Sequence, residues 1–224
     1  MKRLHCVWLL VFASASACHP PKASDHASTP PDQSTLAATP SLQSKDLPSA
    51  NRAHARAPKN FVEYASTPSA NGGRCTVGAA TDDDGMNQRP VAYVTHAESK
   101  EPLWIDEFNL PPHAFQSRVT HCTWSDRALF LLLQSDTQLE QSLSQTLLRV
   151  VKVDPASGAI QETRDIPEDG AYSAWVPEGP NRFQWNGKAL VLSGAKRPHA
   201  STDVQDTFVM RVGEDLSPAR KDEP

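Results

Sequence analysis

From Lys59 onward, apolar and polar positions alternate in short runs broken by turn-forming residues, the period-two pattern of β-strands. The clearest instance occurs twice. Trp124-Ser125-Asp126-Arg127-Ala128-Leu129-Phe130-Leu131 matches Trp185-Asn186-Gly187-Lys188-Ala189-Leu190-Val191-Leu192 at an offset of 61 residues. Each copy is an aromatic, a two-residue polar turn, a basic residue and an apolar strand. At the same offset Thr146-Leu147-Leu148 corresponds to Thr207-Phe208-Val209, so the repeat spans more than one strand. Each unit reads as strand, tight turn, strand, long polar loop, strand. In the first, Asp154-Pro155-Ala156-Ser157-Gly158 turns the chain into a fourth strand from Ile160 to Ile166. A weaker copy lies upstream, where Val91 to Thr95 and Leu103 to Leu110 are joined by the polar turn at 97–102. No segment sustains a helical period; the best short candidate, Gln138 to Ser144, is polar and falls in a loop.

Antiparallel units of this kind resemble the blades of a β-propeller. Closed propellers typically use four to eight blades, and three units fall short. The expected fold is therefore all-β, with about three meander units forming an incomplete propeller-like stack. A curved β-sandwich, or one part of a ring completed by another chain, are the alternatives. A compact monomer is expected over a ring.

The N-terminus follows a different pattern. Lys2 and Arg3 are followed by an apolar run from Cys6 to Phe12, too short to span a bilayer, and then by small residues from Ala13 to Ala17. That order is a secretory signal. Ala15-Ser16-Ala17-Cys18 resembles the lipobox of bacterial lipoproteins, which implies cleavage before Cys18 and lipidation of that cysteine. Ala15 stands where lipoboxes most often carry Leu, and ordinary signal-peptidase cleavage near Ala17 is the alternative. With His19 rather than Asp after the cysteine, the resemblance implies a Gram-negative outer membrane, facing the periplasm. From His19 to Pro58 the chain is dominated by Ala, Pro, Ser and Thr and has no aromatic residue, so it cannot bury enough apolar surface to offset its ordering entropy. It reads as a spacer whose fully extended reach is on the order of 120 Å. The expected organisation is a signal peptide at 1–17, a lipid-anchored tether at 18–58 and an all-β domain at 59–224.

Cysteine parity extends this picture. Once cleavage removes Cys6 and lipid occupies Cys18, Cys75 and Cys122 remain as an even pair in an oxidising compartment. They are expected to form a disulfide; two separate buried thiols are the alternative.

From Lys59 to the C-terminus there are 16 basic and 23 acidic residues, a net of −7 with His neutral. This acidity argues against nucleic acid and against broad adhesion to anionic lipid. There is no glycine-rich phosphate loop, GxSxG elbow, HExxH or paired-cysteine zinc spacing. Asp82-Asp83-Asp84-Gly85 has contiguous rather than alternating acids, with Tyr93 where a calcium loop needs a bidentate Glu, and reads as a solvated turn. His96, His113 and His121 lie on separate segments, so no metal or cofactor is expected. Asp106 and Glu107 flank one another between Trp104 and Phe108, but adjacent strand residues face opposite ways and cannot share one glycosidic bond. Trp124 and Trp185, at equivalent repeat positions, are assigned to the core.

Recognition is instead expected from two polar loops, Gln134 to Gln145 and Gly194 to Asp206, and from the segment Glu168 to Phe183. In the last, Tyr172 and Trp175 are the candidate partner-binding residues. The expected function is a membrane-tethered, non-enzymatic binding protein of the cell envelope with a protein or cell-wall partner. An inhibitor or immunity protein against an envelope-directed toxin is a specific form of it. The alternative is an envelope hydrolase on a degenerate β scaffold.

Overall fold

The computed structural model describes residues 56–96, 99, 101–137, 144–166, 171–199 and 204–218. Among them are twelve strands and no helix. β1 (Phe61–Pro68), β2 (Arg74–Ala80), β3 (Arg89–Thr95) and β4 (Pro102–Glu107) form the first antiparallel sheet in sequential order. β5 (Ala114–Trp124), β6 (Leu129–Thr137), β7 (Thr146–Val153) and β8 (Ile160–Ile166) form the second in the same way. In the third, β10 (Phe183–Trp185), β11 (Leu190–Pro198) and β12 (Asp206–Val212) follow one another, and β9 (Ala171–Trp175) also pairs with β11. The all-β, blade-like architecture expected from the repeat is present.

The middle sheet is the centre of the stack, and β6 shows why. Its residues Leu129 to Ser135 are all buried. Leu129, Leu131 and Leu133 pack with Cys75, Val77, Val94 and Trp104 of the first sheet. Phe130 and Leu132, pointing the other way, pack with Leu190, Leu192 and Phe208 of the third. A strand covered on both faces has no polar face to alternate, hence the unbroken apolar run Leu129-Phe130-Leu131-Leu132-Leu133. Each such side chain contributes about 1.5–3 kcal/mol of burial.

The seam between the first two sheets is tied covalently. Cys75 and Cys122 are joined by a disulfide with Cα atoms 6.7 Å apart. The two indoles beside it reach across the same seam: Trp124 Nε1 donates to Thr67 O at 3.1 Å, and Trp104 Nε1 donates to Pro155 O at 2.9 Å. Gly158, at φ 72°, lies against Trp104 and Asp106; a Cβ there would come within 2.5 Å of the Asp106 carboxylate.

The repeat is real and locally close. Trp124 pairs with Leu129, and Trp185 pairs with Leu190. In the first turn Ser125 Oγ accepts from the amides of Arg127 and Ala128 at 3.3 and 3.0 Å. In the second, Asn186 Oδ1 accepts from Lys188 and Ala189 at 3.0 and 2.8 Å. These are the same side-chain-closed turn made with two different residues. Two features differ from expectation. Leu131 pairs with Val151, whereas its counterpart Leu192 pairs with Met210, so the next strand repeats at 59 rather than 61 and Thr146 is not the structural equivalent of Thr207. In addition, the single strand β5 is replaced in the third sheet by β9 and β10, both on the same edge of β11 and separated by the connection 176–182.

Candidate functional site

β9 belongs to the third sheet, but its start lies beside β7 of the second, where Ser173 Oγ accepts the Thr146 amide at 2.9 Å. The two sheets diverge there and leave a groove of about 630 Å³. Leu147, Leu148 and Ile166 supply one wall, Ala171, Tyr172 and Ala174 the other, and Pro111 and Pro112 close an end. Leu147 and Leu148 are adjacent on one strand and so face opposite ways: Leu148 is buried in the core, and Leu147 is 41% exposed. Tyr172 stands edge-on to His199, with ring centroids 5.8 Å apart. At the rim, Arg149 and Asp165 pair in fork geometry, Nε to Oδ1 at 2.6 Å and Nη2 to Oδ2 at 3.0 Å.

A polar network braces the groove from behind. Gln134 Nε2 donates to Val176 O at 2.9 Å and to Thr120 Oγ1 at 2.8 Å, while the Val176 amide donates to Gln134 Oε1 at 3.0 Å. His121 Nε2 lies 3.1 Å from Pro177 O, a carbonyl that can only accept, so the proton is on Nε2 and Nδ1 accepts from Thr120 Oγ1 at 2.9 Å. Burial pushes the His121 pKa down to about 4, against the opposing pull of the Pro177 carbonyl, and the ring is neutral at pH 7. Nearby, Asp136 accepts from Arg118 at 2.7 Å, Gln116 at 3.0 Å and Thr146 at 2.9 Å, pinning β5, β6 and β7 together. Burial alone would raise the Asp136 carboxyl, but Arg118, Gln116 and Thr146 outweigh it and hold it below the ordinary value.

The expected site residues are placed unevenly. Cys18 lies outside the described residues. Cys75 and Cys122 are bonded. Tyr172 lines the groove, but Trp175 is not part of its lining and lies under Arg197, 5.5 Å from guanidinium carbon to ring centroid. The groove lining therefore includes one of the two aromatics and not the other. The loop boundaries also move: Gln134 to Thr137 belong to β6 and Gly194 to Pro198 to β11, while 138–143 and 200–203 lie outside the described residues. Gln134, taken from sequence as the start of an exposed loop, is buried because its amide completes the backbone of Val176.

Other candidates resolve plainly. Asp106 is buried and Glu107 pairs with Arg89 at 2.9 Å on the opposite face, so they do not converge. In the acidic turn, Asp82 accepts from Asn87 at 2.6 Å and Arg89 at 3.1 Å, and Asp83 accepts from Asn60 at 3.0 Å. Among the described residues no group of three or more His, Cys, Asp or Glu side chains is placed to hold a metal ion. Trp185 stacks on Phe130 at 5.6 Å, and Trp124 packs on the other core. Sequence reasoning missed the groove itself; its one signal was the Leu147-Leu148 pair, which obliges one leucine to point outward.

No protein-family model matches the chain, no curated protein matches its sequence, and no solved structure matches its fold.

Proposed function

We propose that this protein is a lipid-anchored lipoprotein of the cell envelope, held through Cys18 at the outer membrane facing the periplasm. There it captures a partner protein in the groove between the second and third sheets. The observation that carries the binding reading is the groove's chemistry. Its walls are mainly leucine, isoleucine, alanine, proline and tyrosine, with the hydroxyls of Ser135, Thr146 and Ser173 among them, and its acid–base pair, Arg149 with Asp165, is spent on itself. Such a site offers apolar contact with polar ends, which suits an extended segment carrying one or two apolar side chains. An inhibitor or immunity role, in which the captured segment belongs to an envelope-directed toxin, is the specific form of this reading.

The test is a photo-crosslinking amino acid placed at position 172 in the envelope of the producing cell. The expected result is one discrete adduct that disappears when Leu147→Asp is added. Diffuse adducts, or an adduct indifferent to Leu147→Asp, contradict the groove as the site. A purified activity on peptidoglycan or lipid that is lost on substitution of a single carboxylate overturns binding in favour of hydrolysis. Anchorage is checked separately: intact mass should show acyl chains on Cys18, and Cys18→Ala should release the protein from the membrane.

A further inference from the structure

The middle sheet is covered on both faces, whereas the first and third each pack only one face into a seam. Their outward faces differ in chemistry. On the third sheet, strand alternation opposite Leu192 and Phe208 sends Val191, Arg197, Val209 and Arg211 outward together with Trp175. Val209 is 69% exposed there, and no acid occupies an outward position of β11 or β12. On the first sheet, the outward face carries Glu63, Tyr93 and Leu103 and holds a groove of about 580 Å³ beside Glu63 and Tyr93. Glu63 is exposed and makes no ion pair among the described residues. Arg89 on this face is neutralised by Asp82 and Glu107 at 3.1 and 2.9 Å; Arg74 lines the same groove as Glu63 and donates to Ser66 Oγ at 3.0 Å, so with Asp82, Glu107 and Glu63 against Arg89 and Arg74 the face keeps a net negative charge.

We propose that the outward face of the third sheet docks on the outward face of the first sheet of a second copy of this chain, and reciprocally. Two copies then close six blade-like sheets into a ring. Charge selects this pairing. Third face against third face would oppose arginines, whereas third against first sets Arg197 and Arg211 toward Glu63 and places Val209 against the Tyr93 groove. Each copy has one face of each kind, so two copies satisfy both with a two-fold axis, and six sheets lie within the range of closed propellers. The ring takes the place of the monomer expected from sequence, and it assigns Trp175 to the contact between copies while Tyr172 stays in the groove.

Sedimentation of the full chain in mild detergent tests this. The expected species contains two chains, and Val209→Asp should weaken self-association at least tenfold while leaving the far-ultraviolet circular dichroism unchanged. Glu63→Arg and Arg211→Glu should each weaken it when alone. Mixing those two should restore the two-chain species, because the reversed first face of one copy meets the reversed third face of the other. A wild-type chain that stays monomeric, open-ended fibres, or charge reversals that mixing does not rescue would overturn the proposal.

Discussion

The two seams of the stack are built from the same repeated strands yet held in different ways. Between the first and second sheets the packing is apolar around a disulfide, with two indole N–H groups clamped across it. Between the second and third the apolar cluster of Phe130, Leu132, Leu190 and Phe208 is joined by a buried polar network with a neutral histidine, and no covalent bond crosses it among the described residues. The first seam is locked against separation and sensitive to reductant. The second carries the buried neutral His121 and should respond to acid, and the groove opens along it. A binding surface placed where the sheets diverge is supported on one side by a fixed pair of sheets and on the other by a segment whose attachment runs through few, identifiable bonds.

The largest effect should come from the locked seam. Cys75→Ser with Cys122→Ser is expected to cost about 4 kcal/mol, because the disulfide closes a sequence separation of 47 residues in the unfolded chain. Denaturant unfolding of the variant and of reduced wild type should agree. A loss well under 1 kcal/mol would remove the covalent half of the contrast.

Acid should act on the other seam. The His121 pKa falls from 6.5 to about 4 on folding, so between those values the unfolded chain binds more protons than the folded one. Stability is full above pH 6.5 and declines as pH falls toward 4, by about 3 kcal/mol in all. Unfolding midpoints of wild type and His121→Gln across this range provide the check, since the variant should lack most of the slope. Equal slopes would place the acid sensitivity elsewhere.

Gln134→Ala should cost about 2 kcal/mol, because it strands the buried amide and carbonyl of Val176 together with Thr120. The effect should concentrate in β9 and the 176–182 connection rather than in the first sheet. The smallest stability effect belongs to the groove wall: Leu147→Asp, at a position 41% exposed, should change stability by less than about 1 kcal/mol while abolishing crosslinking from position 172.

The contrast also explains what sequence could and could not reveal. Hairpins with strong local signals were legible: the Trp124 and Trp185 turns, the Asp154 turn and the pairing of β3 with β4 all follow from residues within a few positions of one another. The disulfide was expected from the pairing of Cys75 with Cys122, and the structure has it. The split of one strand into β9 and β10 was not, because it depends on how the connection 176–182 is held by Gln134 and His121, more than 40 residues earlier. For the same reason Gln134 looked like the start of a polar loop, since a buried glutamine is recognisable only from its distant partner. From sequence Tyr172 and Trp175 were grouped as one candidate surface, whereas Tyr172 lines the groove and Trp175 lies under Arg197, since aromatic content does not say where each ring of a short strand packs. The groove depends on two sheets diverging, which no local pattern encodes.

Residue-resolved hydrogen exchange is the most direct test that the two seams are separate and differently held. It compares oxidised protein at neutral pH, reduced protein at neutral pH, and oxidised protein near pH 4.5, with rates corrected for intrinsic pH dependence. Reductant should raise exchange first in β1, β2 and the Cys122 end of β5, and acid should raise it first in β9, β10 and the Val176 amide. Uniform loosening of all three sheets under both treatments, or acid acting on the first seam, would contradict the account.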